Sequence, residues 1–262
     1  MEHESGAITR SSEESLMARK KLFELSQTYS ATNIERERSA GLFIRGSLLA
    51  RFLAIYEIYK EIIDLPGFIF DVGTWRGQTA VLAENFRAIL EPLNLDRRIC
   101  AFDTFEGYRG FGERDKPTQL HQDGTYSVGN SYEDYLRELL EIHEMSNAMG
   151  HYRKKHLVIA GEITQSMPAL LRENPEMIIA LAFIDLNSVE PTELIIDLIW
   201  ERLVPNGRVV FWQLTQPKIA GDGMAYVSRI LRQKPHLVRR SLLYPGLCQV
   251  VKTIDRMTSA SS

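Results

Sequence analysis

Two periodicities divide this chain. Short, nearly unbroken apolar runs occur from Phe68 to Asp71 and in RRICAFDTF (97–105), KHLVIAG (155–161), MIIALAFID (177–185) and GRVVFWQ (207–213), and last in HLVRRSLL (236–243) and GLCQVVKT (246–253). Between them apolar residues recur at intervals of three and four. The first pattern predicts strands and the second helices. Helices are expected at Leu16–Leu25 and Leu42–Ile63, after Gly77, from Ser131 onward, and at 163–174, Pro191–Leu203 and 223–233. Pro66 and Gly67 stop the second helix before the first strand. Ser131 with Asp134 reads as an acidic variant of a capping box.

Strands alternating with helices predict an α/β fold, a doubly wound Rossmann-like sheet. MIIALAFID is apolar almost throughout, as expected of a central parallel strand covered on both faces. The last two runs, joined through Tyr244-Pro245-Gly246, read as a hairpin. No repeat or linker marks a second globular unit. Residues 1–64 are expected to form an N-terminal helical cap, 65–254 the domain that carries the ligand site, and 255–262 a flexible tail. The segment 106–130 is rich in glycine and charge but also holds Tyr108, Phe111 and Tyr126. Its length and aromatics point to a lid.

Sheets of this kind bind ligands beyond the carboxyl ends of their strands, where Asp71, Asp103 and Asp185 fall. FIFDVGTWRGQT (68–79) is the centre of the chain: a strand, a turn through Gly73 and Gly77, then a helix. Glycine lets the backbone bend and a ligand approach, and free N–H groups at the helix start suit a polar ligand. A glycine turn after the first strand and an acid at the end of the second suit a ribose-bearing cofactor, with Asp103 on the ribose. NAD and S-adenosylmethionine both meet that description. Trp75 and Arg76 stand where a dinucleotide pyrophosphate needs small residues, and the closing hairpin suits a methyltransferase sheet. A dehydrogenase is therefore disfavoured.

DVGTWRGQT, AFDTFEGY, GTYSV, YEDYL and LAFIDLNSVEPT, with NIERE and LARFLAIYEIYKEI upstream, resemble the macrocin O-methyltransferase (TylF-type) group of class I S-adenosylmethionine-dependent methyltransferases. The resemblance runs from about Asn33 to the last strand. It implies a seven-stranded sheet with its last strand antiparallel, bound S-adenosylmethionine, and methylation of a hydroxyl on a sugar or another small molecule of secondary metabolism. By motif, Asp71, Gly73, Thr74 and Gly77 would line the methionine end, Asp103 and Thr104 the ribose, and Glu162 the neighbourhood of the adenine. Arg45, Tyr126 and Ser127 are further cofactor-binding candidates from the cap and lid. The family carries Asp-x-Asp-x-Tyr after the fourth strand and an acidic pair after the fifth, which hold a divalent metal. Here those positions read Asp185-Leu186-Asn187-Ser188-Val189 and Phe211-Trp212-Gln213. With one carboxylate left, no tightly bound magnesium is expected. Asp185 is the first candidate for the base, followed by His143 and His121. Trp212, Gln213 and Asn187 are candidates for the acceptor site. The lost carboxylates also admit a non-catalytic, cofactor-binding or scaffolding descendant.

Composition narrows this little further. The net charge of -3, from 31 basic and 34 acidic residues among 262, calls for neither nucleic acid nor an anionic membrane. The start of the chain lacks a leader pattern and no apolar run is long enough to span a bilayer, so a cytoplasmic protein is expected. Cys100 and Cys248 lie in apolar runs and read as small buried hydrophobes. The broad apolar face of the N-terminal helices makes a homodimer or larger homo-oligomer the expected assembly.

Overall fold

The computed structural model describes residues 12–109, 111–115, 123–129, 131–147, 152–215 and 221–254. Its strands are β1 (Phe68–Val72), β2 (Ile99–Asp103), β3 (Leu157–Ala160), β4 (Ile179–Ile184), β5 (Leu203–Phe211), β6 (His236–Arg240) and β7 (Cys248–Lys252). They form a seven-stranded sheet in the order β3-β2-β1-β4-β5-β7-β6. The first five run parallel, while β7 lies antiparallel between β5 and β6. The chain order reverses between β1 and β4, which opens a crevice at their carboxyl ends.

Helices α1 (Glu13–Thr28), α2 (Asn33–Arg38) and α3 (Gly46–Lys60) precede the sheet. Within and after the sheet come α4 (Gln78–Leu90), α5 (Tyr132–Asn147), α6 (Ile163–Glu173), α7 (Val189–Arg202) and α8 (Gly221–Tyr226), the last continuing as a π turn over Val227–Leu231. One core packs α6, α7 and α8 on the sheet through residues such as Met167, Ile195, Ile199 and Tyr226. The other packs α3, α4 and α5 on the opposite face through Ala54, Ile55, Tyr59, Ala83 and Leu136. All six residues of β4 are buried, as expected of a strand between two such layers. Each large side chain taken from water contributes roughly 1.5–3 kcal/mol.

The single helix expected over Leu42–Ile63 is broken. Ala40–Phe43 form a 3₁₀ turn, Arg45 is extended at ψ 151°, and α3 starts at Gly46. Ser131 has φ +65°, a left-handed backbone unlike the extended one that a capping box needs. The hairpin of the last two strands and the antiparallel last strand are present as expected.

Buried charges hold the end of the sheet away from the crevice. Arg97 reaches the carbonyls of Gly67, Ile62 and Leu65 at 2.6, 3.0 and 2.8 Å and pairs with Glu91 at 2.8 Å. Tyr59 donates to the same Glu91 at 2.6 Å. Beside it, Glu84 accepts from Arg87 at 2.7 and 2.8 Å and lies 3.0 Å from His156 Nε2. Towards the other side of the sheet, Lys252 of β7 donates to the carbonyls of Trp200 and Leu203 at 2.8 and 2.7 Å, which ends α7 on β7.

Candidate functional site

The turn after β1 is fixed by its glycines. Gly73 has φ +77°, and a Cβ there would stand 2.5 Å from the carbonyl oxygen of Asp185. The turn thus lies directly against the end of β4, where Asp185 N–H also donates to the carbonyl of Val72 at 3.0 Å. Gly77, also at φ +77°, opens α4 with its Cα against the Leu136 side chain. Neither place admits a larger residue without strain. Thr74 closes the turn by donating from Oγ1 to Asp71 Oδ2 at 2.5 Å.

Asp103 ends β2 and anchors two loops. Its Oδ2 accepts from Trp75 N–H at 2.7 Å and its Oδ1 from Phe105 N–H at 2.8 Å. Burial pushes its pKa up, opposed by those backbone N–H groups. A carboxylate can accept about four hydrogen bonds, more than these two, which suits a pair of ribose hydroxyls. A cleft of about 440 Å³ opens beside it, lined by Thr104, Ser127, Tyr132, Glu133 and Ala160 among others. Thr104 bonds to the Gly107 carbonyl at 3.1 Å. Glu162 follows Ala160 as the residue before α6, with its side chain exposed.

Trp75 meets Tyr126 edge-on at 5.8 Å, and Tyr126 meets Tyr108 edge-on at 5.5 Å. These aromatics join the glycine turn to the loop 106–130. That loop is also tied to α7: Asp115 accepts from Val189 N–H at 2.8 Å, and Arg114 grips Glu193 at 2.8 and 3.0 Å.

At the ends of β4 and β5 the polar groups converge. Asn187 Nδ2 donates to Tyr108 Oη at 2.6 Å and to Asp185 Oδ1 at 3.2 Å, leaving its buried Oδ1 without a partner. Asn187 itself sits at φ +60°. Its backbone N–H donates to Asp222 Oδ1 at 3.1 Å, and Thr192 donates to the same oxygen at 3.3 Å. Asp222 is fully buried, which lifts its pKa to about 8, and it acts as a clamp between α8 and the start of α7. Burial raises Asp71 to about 7, against the Thr74 hydrogen bond and the charge of Arg51. Burial likewise raises Asp185 to about 6, against the Arg51 charge and the Asn187 hydrogen bond.

The crevice therefore gathers Asp71, Gly73, Thr74, Gly77, Asp103, Thr104, Tyr126, Ser127, Asp185 and Asn187. Trp212, 5% exposed, and Gln213 follow the end of β5. Two expected residues are not brought to it, and a third falls outside the described residues. Arg45 is exposed and bonds to Ser47 within its own helix start at 2.9 Å. His143 lies eleven positions along α5 from the cleft-lining Tyr132, roughly 16 Å at the rise of an α-helix. His121 lies outside the described residues. The arginine that α3 does bring to the strand ends is Arg51, which the reading of the sequence missed. Its signal was a charge at the register of Ala54, Ile55 and Ile58, on the buried face of the helix.

The same architecture occurs in solved proteins. The chain is 28% identical to CalS11 in a crystal structure described as a calicheamicin methyltransferase, covering 93% of this chain and 94% of that one with a TM-score of 0.87. An apo structure of CalS11, described as a TDP-rhamnose 3'-O-methyltransferase in calicheamicin biosynthesis, gives 27% identity over 93% and 96% with a TM-score of 0.79. The O-methyltransferase NovP shares the fold, at 14% identity over 78% and 80% and a TM-score of 0.58. No family model and no curated protein matches the sequence.

Proposed function

We propose that this chain, an S-adenosylmethionine-dependent methyltransferase of the class I, macrocin O-methyltransferase-like type, methylates a hydroxyl of a small metabolite. A nucleotide-linked deoxysugar, as named for CalS11, is the first acceptor to test. The observation that carries the reading is the placement of Asp103 and Asp185 at strand ends on either side of the Gly73 turn. S-adenosylmethionine supplies an activated methyl group and fits the glycine turn and the Asp103 carboxylate. Asp103 would hold the ribose hydroxyls, with Thr104 and Ser127 lining the adenosine side. Asp71 and Thr74 would shape the methionine end, and Glu162 would face the adenine.

Asp185 would take the proton of the acceptor hydroxyl. A pKa of about 6 leaves it ionised near neutrality and close enough to that range to act as a base. The described parts of the loop, 106–109, 111–115 and 123–129, braced by Tyr108 and Tyr126, would cover the reactants and exclude water.

The residues at the metal positions of the resembled family do not fit a divalent cation. Hard cations take oxygen ligands, and this set offers one carboxylate, an amide whose nitrogen faces that carboxylate and whose buried oxygen is left over, an indole and Gln213, which is one charge and few oxygens. Among the described residues no group of three or more His, Cys, Asp and Glu could hold a metal. Metal-independent transfer is the reading that this donor set supports. A non-catalytic descendant is the weaker one, since it gives a proton-accepting carboxylate at the crevice no use.

The test is titration with S-adenosylhomocysteine. Asp103→Ala is expected to weaken its affinity about 10- to 100-fold, the worth of hydrogen bonds to a charged group; unchanged affinity would move the ribose elsewhere.

Among the described residues no helix is long and apolar enough to cross a membrane. Two unpaired, buried cysteines suit a reducing, cytoplasmic setting. We also propose a homodimer through the N-terminal helices. None of the 16 residues of α1 is buried, and Met17, Phe23 and Leu25 are 64, 65 and 50% exposed. A lone helix of that length is marginal without a packed face. Light scattering should give twice the chain mass, and the pair Phe23→Glu and Leu25→Glu should halve it; a monomeric wild type would refute the assembly.

A further inference from the structure

The acceptor side of the crevice holds a cation without an assigned role. The Arg51 guanidinium carbon lies 4.0 Å from the centroid of the Trp212 ring. Trp212 is itself fixed, stacked on Phe183 at 6.1 Å and 23° and edge-on to Tyr244 at 5.9 Å. Arg51 Nε–H is buried and has no hydrogen-bond partner. Its charge nevertheless acts on both Asp71 and Asp185, at the ends of neighbouring strands. A donor left unpaired at this depth costs folding free energy and gains it back when an acceptor arrives.

The residue exchange at the end of β5 is consistent with this. An aromatic face attracts a guanidinium, whose charge is planar and weakly hydrated. The same face gives a magnesium ion no oxygen to bind. Replacing an acid by Trp212 therefore exchanges one kind of cation for another. The place also separates acceptor from ribose: β5 lies three strands from β2, so Trp212 and Asp103 are roughly 14 Å apart at the usual strand spacing.

We propose that Arg51, held on Trp212, is the fixed cation of the acceptor site, standing at the positions that the resemblance assigns to a divalent metal and binding the acceptor oxygen as negative charge develops on it. This rests on the methyltransferase reading above. The acceptor oxygen forms a bond to the methyl carbon while the carbon–sulfur bond breaks with its electron pair going to sulfur. The hydroxyl proton goes to Asp185, and the products are the methyl ether and S-adenosylhomocysteine. The guanidinium donates to the oxygen throughout and is not consumed.

Two measurements test it. Calorimetric titration of the S-adenosylhomocysteine-bound protein with MnCl2 is expected to show no stoichiometric uptake; one manganese per chain would overturn the proposal. Methylation of TDP-rhamnose in EDTA is expected to fall about 10²- to 10³-fold in Arg51→Lys, the loss seen when one donor to a developing oxyanion is removed. The fall should lie in kcat, with S-adenosylhomocysteine affinity unchanged, and added guanidinium should restore part of the rate of Arg51→Ala. A parallel tenfold loss of S-adenosylhomocysteine affinity would put Arg51 on the carboxylate of the cofactor and overturn the assignment to the acceptor. Failure of the wild type to bind S-adenosylhomocysteine at all would refute the methyltransferase reading, and inactivity on TDP-rhamnose the choice of acceptor, with the manganese titration still deciding the role of the cation.

Discussion

Asp185→Asn is expected to lower turnover about 10²- to 10⁴-fold, the worth of a positioned general base, while leaving S-adenosylhomocysteine affinity intact. The substitution preserves shape and removes the charge that would accept the hydroxyl proton. Asp185 is placed chiefly by its backbone: its N–H bonds to Val72 and its carbonyl fills the space that a Gly73 side chain would need, while its side chain accepts from Asn187 Nδ2. The variant should therefore fold with the same crevice. In the wild type the carboxyl is raised to about 6 by burial, so turnover should fall as pH drops through that value and the base is protonated. Full activity in Asp185→Asn would clear this residue, and a loss of cofactor affinity instead of rate would make it a cofactor ligand.

Glu84→Ala is expected to destabilise the fold by about 3–5 kcal/mol, because it leaves a buried guanidinium without its partner. Glu84 and Arg87 are 0 and 1% exposed, and His156 Nε2 adds a third contact at 3.0 Å. Burial alone would raise the pKa of Glu84, but the hydrogen bonds from Arg87 and His156 outweigh it and hold the carboxyl at about 2. The depressed value fixes the sign of the pH effect. The stabilisation is fully present above the ordinary carboxylate range, near 4.5, and is lost as pH falls from there through about 2. Urea unfolding at neutral pH should show the full difference between wild type and variant, and near pH 3 a clearly smaller one. An equal difference at both would mean that lost packing, and not the ion pair, sets the cost.

The strands were legible because the sheet is buried on both faces, so that each left a compact apolar run in the sequence. MIIALAFID and RRICAFDTF give β4 and β2 within a few residues. What escaped were features decided by tertiary contact. The break before α3 carries no proline; it follows from the extended backbone at Arg45. Helix α2 begins with a reciprocal capping box of Thr32 and Glu35, a signal present in the text but overshadowed by the absence of any buried face. At the site, the reading of Asn187, Trp212 and Gln213 as standing in place of carboxylates came only from the resemblance to a known family, while the acids at strand ends were readable from position alone. The partnership of Trp212 with Arg51 was not, since it joins a strand end to a helix more than 150 positions earlier. How far His143 lies from the crevice was equally hidden, because helical register does not say how far along its axis a residue falls from the sheet.

The insertion of β7 between β5 and β6 also bears on how the chain is made. Residues 203–211 leave the ribosome well before residues 248–252, and among the described strands β7 is what pairs with the outer edge of β5 and with β6. During that interval Val209, Val210 and Phe211 sit on an open strand edge, a template for pairing with another chain. The nascent protein is thus most open to aggregation late in synthesis, after five parallel strands can already have assembled. Threading Cys248–Lys252 into the gap closes that edge and seats Lys252 on the end of α7 in one step. Slow translation or a stop codon just ahead of residue 248 would turn a nearly finished enzyme into a sticky half-sheet.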